Sequence, residues 1–257
     1  MITKSQAKLF KNALFAHLDN HIKRNAPFHI SWECHYCDEK HSKNLLENIA
    51  RVEMDYDATI AQPHLALLDE KENIVIAIHI PSKKLPAGEY ATIYTENDII
   101  YIQLLPEKNS SPDNIGEELH SPSFVSLCFN PACPHCGNHM HKKQIIVATI
   151  DCWHCKSNMK FAYWTAGGRH GTPADFDVAD IELAASKGVH FSIQHSPIQN
   201  EYYANTCTTC GSFMGDMFVH DYYGSVPAET FEAGYHCMNC NQPVFDMNQE
   251  PDNDDDV

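Results

Sequence analysis

The chain has 257 residues, a hydrophobic content of 43% and a formal net charge of −16. It is long enough for two compact domains with real cores and too acidic for a broad basic nucleic-acid surface. No run of eighteen apolar residues occurs, which excludes a membrane-spanning helix of the usual kind.

Six acids (Asp246, Glu250, Asp252, Asp254, Asp255, Asp256) lie in the last dozen residues; without them 28 acids still face 18 bases. A local basic patch around Lys83, Lys84, Lys142 and Lys143 is compatible with this balance, although a solvated face is the plainer reading of those lysines. There are eleven cysteines, ten of them in five CxxC pairs. Residues 1–24 carry Lys4, Lys8, Lys11, Lys23 and Arg24 without a continuous apolar stretch and do not read as a signal peptide. Metal-bound thiolates in a reducing cytoplasm fit this cysteine usage better than a secreted disulfide framework.

Residues 4–23 predict an amphipathic helix with Leu9, Ala13, Leu14, His17, Leu18 and Ile22 on its apolar face, ended by Pro27. A short strand over 28–33 leads into Cys34-His35-Tyr36-Cys37. With His41 four residues on, three ligands of a metal site are in reach, and the fourth must come from elsewhere: His29, His35 or a histidine of a later strand. Residues 51–57 alternate as a half-buried strand. Residues 63–69 and 74–80 form a hairpin around the polar turn 70–73, 86–96 a helix, and 98–105 a buried strand. Three strands, a crossover helix and a further strand give a mixed sheet with a βαβ unit.

Trp32-Glu-Cys-His-Tyr-Cys37, His41, Asn44-Leu-Leu46, Arg51-Val-Glu53, Pro63-His-Leu-Ala-Leu-Leu-Asp69 and Ile78-His-Ile80 resemble the CoiA-like competence nucleases and their zinc-bearing relatives. The resemblance covers roughly residues 28–105 and implies a restriction-endonuclease-like, PD-(D/E)xK core. Where that family carries its two metal-binding acids, this chain has His64 and His79. Mg²⁺ prefers carboxylate oxygens in octahedral geometry, whereas imidazole suits Zn²⁺, Ni²⁺ or Fe²⁺. The resemblance therefore implies a degenerate nuclease site, and Glu47, Glu53, Lys83 and Lys84 do not rebuild it. In the register in which 64 faces 79, the two histidines lie opposite one another on one face of the sheet.

Residues 106–122 read as a Pro/Ser-rich linker and the domain boundary. Beyond it, Cys133/Cys136 with Cys152/Cys155, and Cys207/Cys210 with Cys237/Cys240, predict two zinc ribbons of four cysteines apiece, each a closed structural site. Gly137 and Gly211 follow their knuckles, where the turn favours φ > 0. Cys128 is left over; a small buried hydrophobe is favoured over an alternative ligand. The run 144–150 is a strand between knuckles and 161–165 the strand that leaves. Residues 172–187 are a helix that starts at Thr172 and stops at Gly188, and 189–193 a strand. Gly188-Val189, Tyr203-Ala-Asn205 and Cys207-Thr-Thr-Cys-Gly211 also resemble the zinc-bearing relatives. Gly167-Gly168-Arg169-His170-Gly171 lacks the Walker spacing and reads as a turn.

The expected architecture is α+β, in five parts. They are an N-terminal helix (1–24), a zinc-knuckle and nuclease-like domain (25–105), the linker (106–122), a double zinc-ribbon domain (123–245) and an acidic tail (246–257). The expected function is that of a zinc-binding protein with a degenerate nuclease-like core, which contacts nucleic acid or a nucleic-acid-processing partner. A nuclease rebuilt around His64 and His79, or a pure protein-interaction scaffold, are the alternatives.

Overall fold

The computed structural model describes residues 2–57, 62–82, 87–107, 110–196 and 200–240; Lys83, Lys84 and the acidic tail lie outside them. The chain forms two compact units, Met1–Phe129 and Asn130–Val257, each of mixed α and β structure.

The first unit opens with α1 (Lys4–Lys23), begun by a reciprocal capping box: the Thr3 hydroxyl accepts from the Gln6 N–H, and the Gln6 amide oxygen from the Thr3 N–H. Its buried stripe is Ala7, Phe10, Leu14 and Leu18. This stripe is rotated from the predicted face, because Leu9 points to solvent and is 53% exposed. β1 (His29–Glu33) and β2 (Lys40–Asn44) form an antiparallel hairpin with Trp32 opposite His41. β3 (Arg51–Met54), β4 (Leu65–Leu68), β5 (Ile74–His79), β6 (Ile100–Gln103) and β7 (Phe124–Val125) make one sheet in that spatial order. β3, β4 and β5 run as an antiparallel meander. α2 (Ala87–Thr95) then crosses over, and β6 lies parallel to β5. β4 is buried along its whole length, as a near-continuous apolar run predicts.

The segment read as a linker is structured where it is described. Pro112–Asn114 form a 3-10 turn that runs into α3 (Ile115–His120), and both pack on α1. Ile115 and Leu119 belong to the same buried core as α1. The boundary between units therefore falls at 129/130. A polar, proline-rich composition with an apolar residue every fourth position is enough for one short docked helix.

In the second unit β8 (His141–Asp151), β9 (Asn158–Ala166) and β10 (Arg169–Gly171) form a meander. Gly167 and Gly168, both at positive φ, close its second hairpin as a two-residue turn. Next comes a 3-10 turn at Pro173–Asp175 and then α4 (Val178–Ser186). The helix does not start at Thr172, which caps only the 3-10 turn; Asp177 is its N-cap, and its carboxylate accepts from the Asp180 N–H. Gly188, at φ +87°, terminates it as predicted. β11 (Phe191–Ser196), β12 (Asn200–Thr206) and β13 (Phe213–Met214) form a second sheet. After α5 (Asp216–Val219), β14 (Ala228–His236) returns to pair with β8, so that the first sheet runs β10-β9-β8-β14. Lys143 belongs to no basic patch: its ammonium is buried between Asp177 and Asp180.

Candidate metal centres and the histidine pair

Four described CxxC knuckles share one local geometry. The amide after the second cysteine donates back to the carbonyl of the first: Asp38 to Cys34, Gly137 to Cys133, Lys156 to Cys152 and Gly211 to Cys207, at 2.8–2.9 Å. The donating residue has positive φ each time, between +56° and +74°. Glycine meets that demand without strain at 137 and 211, as predicted; Asp38 and Lys156 adopt it despite carrying a Cβ. The turn aims both thiols of a knuckle at one point.

The knuckles converge into three clusters, each with ligand atoms within 4.8 Å of one another: Cys34, Cys37, His41 and Cys128; Cys133, Cys136, Cys237 and Cys240; Cys152, Cys155, Cys207 and Cys210. None of the eleven cysteines is bridged to another. Between knuckles the sulfurs stand 3.4 Å (Cys133 to Cys240), 3.5 Å (Cys136 to Cys237) and 3.7 Å (Cys152 to Cys210, Cys155 to Cys207) apart. A tetrahedral ion with metal–sulfur bonds of about 2.3 Å needs an edge of roughly 3.8 Å.

The predicted pairing of knuckles is corrected. Cys133/Cys136 and Cys152/Cys155 sit before and after β8, one strand of eleven residues. Such a strand spans about 35 Å, so its two ends cannot share an ion. β14 instead runs antiparallel to β8 with His236 opposite His141, which delivers Cys237/Cys240 to Cys133/Cys136. At the other end β12 is fastened to β9 through the Asn205 side chain. It accepts from the Ala162 N–H at 2.9 Å and donates to the Ala162 carbonyl at 3.0 Å. That contact delivers Cys207/Cys210 to Cys152/Cys155.

The first cluster is completed by Cys128, not by His29 or His35, both of which are exposed. The pairing of β7 with β6 carries the chain back to the β1–β2 hairpin, where the Trp32 indole N–H donates to the Leu127 carbonyl at 3.1 Å. Cys128 Sγ then lies 3.6 Å from Cys37 Sγ and 3.7 Å from His41 Nε2, and His41 Nε2 3.3 Å from Cys37 Sγ. The preference for Cys128 as a mere hydrophobe is thus overturned. Arithmetic held the clue: a knuckle with one histidine lacks one ligand, and one cysteine lacks a knuckle.

The thiols differ in acidity. The Ser157 hydroxyl, then the Cys210 N–H, hold Cys207 down to about 5 against its burial. At Cys133 burial works upward, but the N–H groups of His135 and Cys136 and the Cys240 thiol together bring it to about 6. Burial pushes Cys37 up to about 11. A bound cation stabilises thiolate in every case. The three clusters are compatible with metal binding; each is closed by four ligands of the chain and leaves no position for a substrate.

His64 and His79 come together as the register predicts. A bulge between Leu67 and Leu68 alters the pairing only near the turn; Leu65 faces Ile78, one step from the pair. The rings stand 5.3 Å apart, nearly perpendicular. His64 Nδ1 accepts from the Ile80 N–H at 3.2 Å, and His79 Nε2 meets the Tyr94 hydroxyl at 2.9 Å. Burial, then the neighbouring His64, lowers His79 to about 4, and burial followed by Lys11 lowers His64. Both are neutral rings at neutral pH. Nearby carboxylates are engaged elsewhere: Asp55 with Lys11, Glu53 with Arg51, Glu47 with Lys43. Among the described residues no third ligand joins the pair. Beside His64 opens a cavity of about 370 Å³ lined by Lys4, Lys8, Lys11, Asp55 and Ser82. No described helix is long and apolar enough to cross a membrane.

Comparison with known proteins found no matching family model, no similar curated protein and no similar solved structure.

Proposed function

We propose that the protein is a zinc-stabilised binding protein of the cytoplasm. Its first unit would be a nuclease-like core that has lost Mg²⁺ chemistry and contacts nucleic acid or a protein that processes it. The observation that carries the zinc reading is closure: three clusters, each with four chain ligands, eleven of the twelve being thiols. That donor set fits Zn²⁺ in a structural role. The nuclease-like reading draws support from the order α1, antiparallel β3–β4–β5, crossover α2, parallel β6. It draws further support from two neutral imidazoles where the resemblance expects paired acids. Lys4 and Lys8, beside the Lys11–Asp55 ion pair at one cavity, supply local positive charge, in an otherwise acidic chain, for a phosphate backbone.

The test is a binding and cleavage assay on single- and double-stranded DNA and RNA with Mg²⁺, Mn²⁺, Ni²⁺ and Zn²⁺ in turn. Binding without turnover is expected. Cleavage with Mg²⁺ would overturn the degenerate site. Cleavage with a softer ion, abolished by His79→Ala, would install the rebuilt nuclease instead. Neither binding nor cleavage would overturn the nucleic-acid reading. One observation favours a protein partner in that event: an apolar groove of about 390 Å³ along Ile150, Trp153, Met159, Phe213 and Phe218, with Trp153 63% and Phe218 65% exposed.

A further inference from the structure

The chain has 17 histidines, and two of them stand together on α1. His17 and His21 are four residues apart, one helical turn, and so share a face of the helix. Their ring centroids are 4.8 Å apart, and the Phe28 ring meets both edge-on, at 5.4 and 5.3 Å. Nε2 of His17 and Nδ1 of His21 are sealed from solvent, and neither has a hydrogen-bond partner. Buried imidazole nitrogens are ordinarily paired. Two such nitrogens on adjacent turns are a bidentate donor set.

The surroundings of His17 fit a ligand role. α3 presents Gly116 to the ring; a Cβ there would stand 2.9 Å from Nε2 and 2.7 Å from Cε1. Glycine lets the ring lie directly against the α3 backbone. Burial, then His21 and His120, lowers the His17 pKa against a smaller opposing effect of Glu117, so the ring is neutral. His120 lies with its Nδ1 2.5 Å from the His29 carbonyl. The Nδ1–H of His120 donates there, which holds that ring against Phe28. Glu117 and His120 stand on the same short helix as Gly116.

We propose that His17 and His21 form a fourth metal site, a nitrogen-donor site for a borderline divalent ion such as Zn²⁺, Ni²⁺ or Cu²⁺, roofed by Gly116 of α3. Its donors differ in kind from the thiolate clusters. Imidazole binds such ions without the anionic charge of four cysteines, so the site takes its ion last and gives it up first. The site stands whether or not the first unit is nuclease-like.

The test uses full-length protein dialysed against a weak chelator and titrated with Ni²⁺, with the imidazole signals followed by NMR. Substoichiometric Ni²⁺ should broaden the His17 and His21 rings before any other histidine, and calorimetry should show one added equivalent. His21→Gln should abolish that equivalent at concentrations that saturate the unmodified chain. Gly116→Ala, which keeps both ligands but displaces the His17 ring, should weaken it. Broadening that begins at other histidines would overturn the proposal, as would a further equivalent undiminished in His21→Gln. The wild-type spectrum decides the matter by itself should a variant fail to fold, and it reads these two rings whatever the thiolate clusters hold.

Discussion

In the first unit, 22 described residues from Ile2 to Val125 form one large buried cluster shared by α1, α3, the β1–β2 hairpin and the five-stranded sheet, with a smaller group around Tyr94 and Tyr101 beneath α2. In the second unit the described buried apolar residues fall into separate small groups: one around Phe161 and Tyr163, one around Trp164 and Val189, and one of Cys133, Met140 and Cys237. The metal ligands are distributed inversely. The first unit has one cluster, appended at the turn of a hairpin; the second has two, one at each end of β8. A large core stabilises through apolar burial, whereas small divided cores leave more of the work to cross-links that hold strands in place. The same knuckle is thus an accessory in one unit and a framework in the other.

Removing metal should break this comparison most sharply. With a strong chelator, β8, β9 and β14 should lose amide protection while β4 and β5 keep theirs, as read by hydrogen exchange. Structural zinc contributes on the order of 10 kcal/mol per site at neutral pH, more than a domain's usual net stability. Equal loss in both units would show that the first also depends on metal.

The crossed pairing gives the next largest effect. Cys133→Ser and Cys237→Ser should each cost one bound ion, the same ion, so that the double variant loses no more than either single one. Cys133→Ser with Cys152→Ser should lose two. Elemental analysis of the purified variants distinguishes these outcomes; the reverse pattern would restore the pairing of sequential knuckles.

Cys128→Ser should lower metal content by one ion while the first unit remains folded, with a loss of a few kcal/mol at most, because the buried core reaches well beyond the hairpin turn, through α1, α3 and the five-stranded sheet. Chemical denaturation followed through the buried Trp32 measures it. An unchanged metal count would remove Cys128 from the ligand set.

The smallest effect concerns the histidine pair. His79 falls from 6.5 to about 4 on folding, so the unfolded chain binds the proton more readily. Its contribution is fully present above pH 6.5 and is lost as the pH falls from 6.5 towards 4. At about 1.4 kcal/mol for each pH unit between those two values, the loss amounts to roughly 3 kcal/mol. His79→Gln should flatten the acid limb of the stability profile by about that amount and change little at mildly alkaline pH. Superimposable profiles would mean that the pair is open to protons in the folded state.

Local features of this fold were legible in the residues because their causes are local. The CxxC spacing marks a knuckle wherever it occurs, and Gly137 and Gly211 supply the positive φ that its turn requires. The apolar runs around Leu65–Leu68 and Ile74–His79, with a polar turn between them, fix a hairpin, and hairpin register alone sets His64 beside His79. What the tertiary structure decided was which distant segments meet. Nothing near Cys133 says that β14, a hundred residues on, will lie against β8, and the exposed alternation of β14 gave it no strong strand pattern. Cys128 joins Cys37 only because β7 adds to the far edge of a sheet that begins at β3. A four-ligand site is a statement about four points in space. Spacing along a chain settles two of them at a time, and the folding of sheets settles the other two.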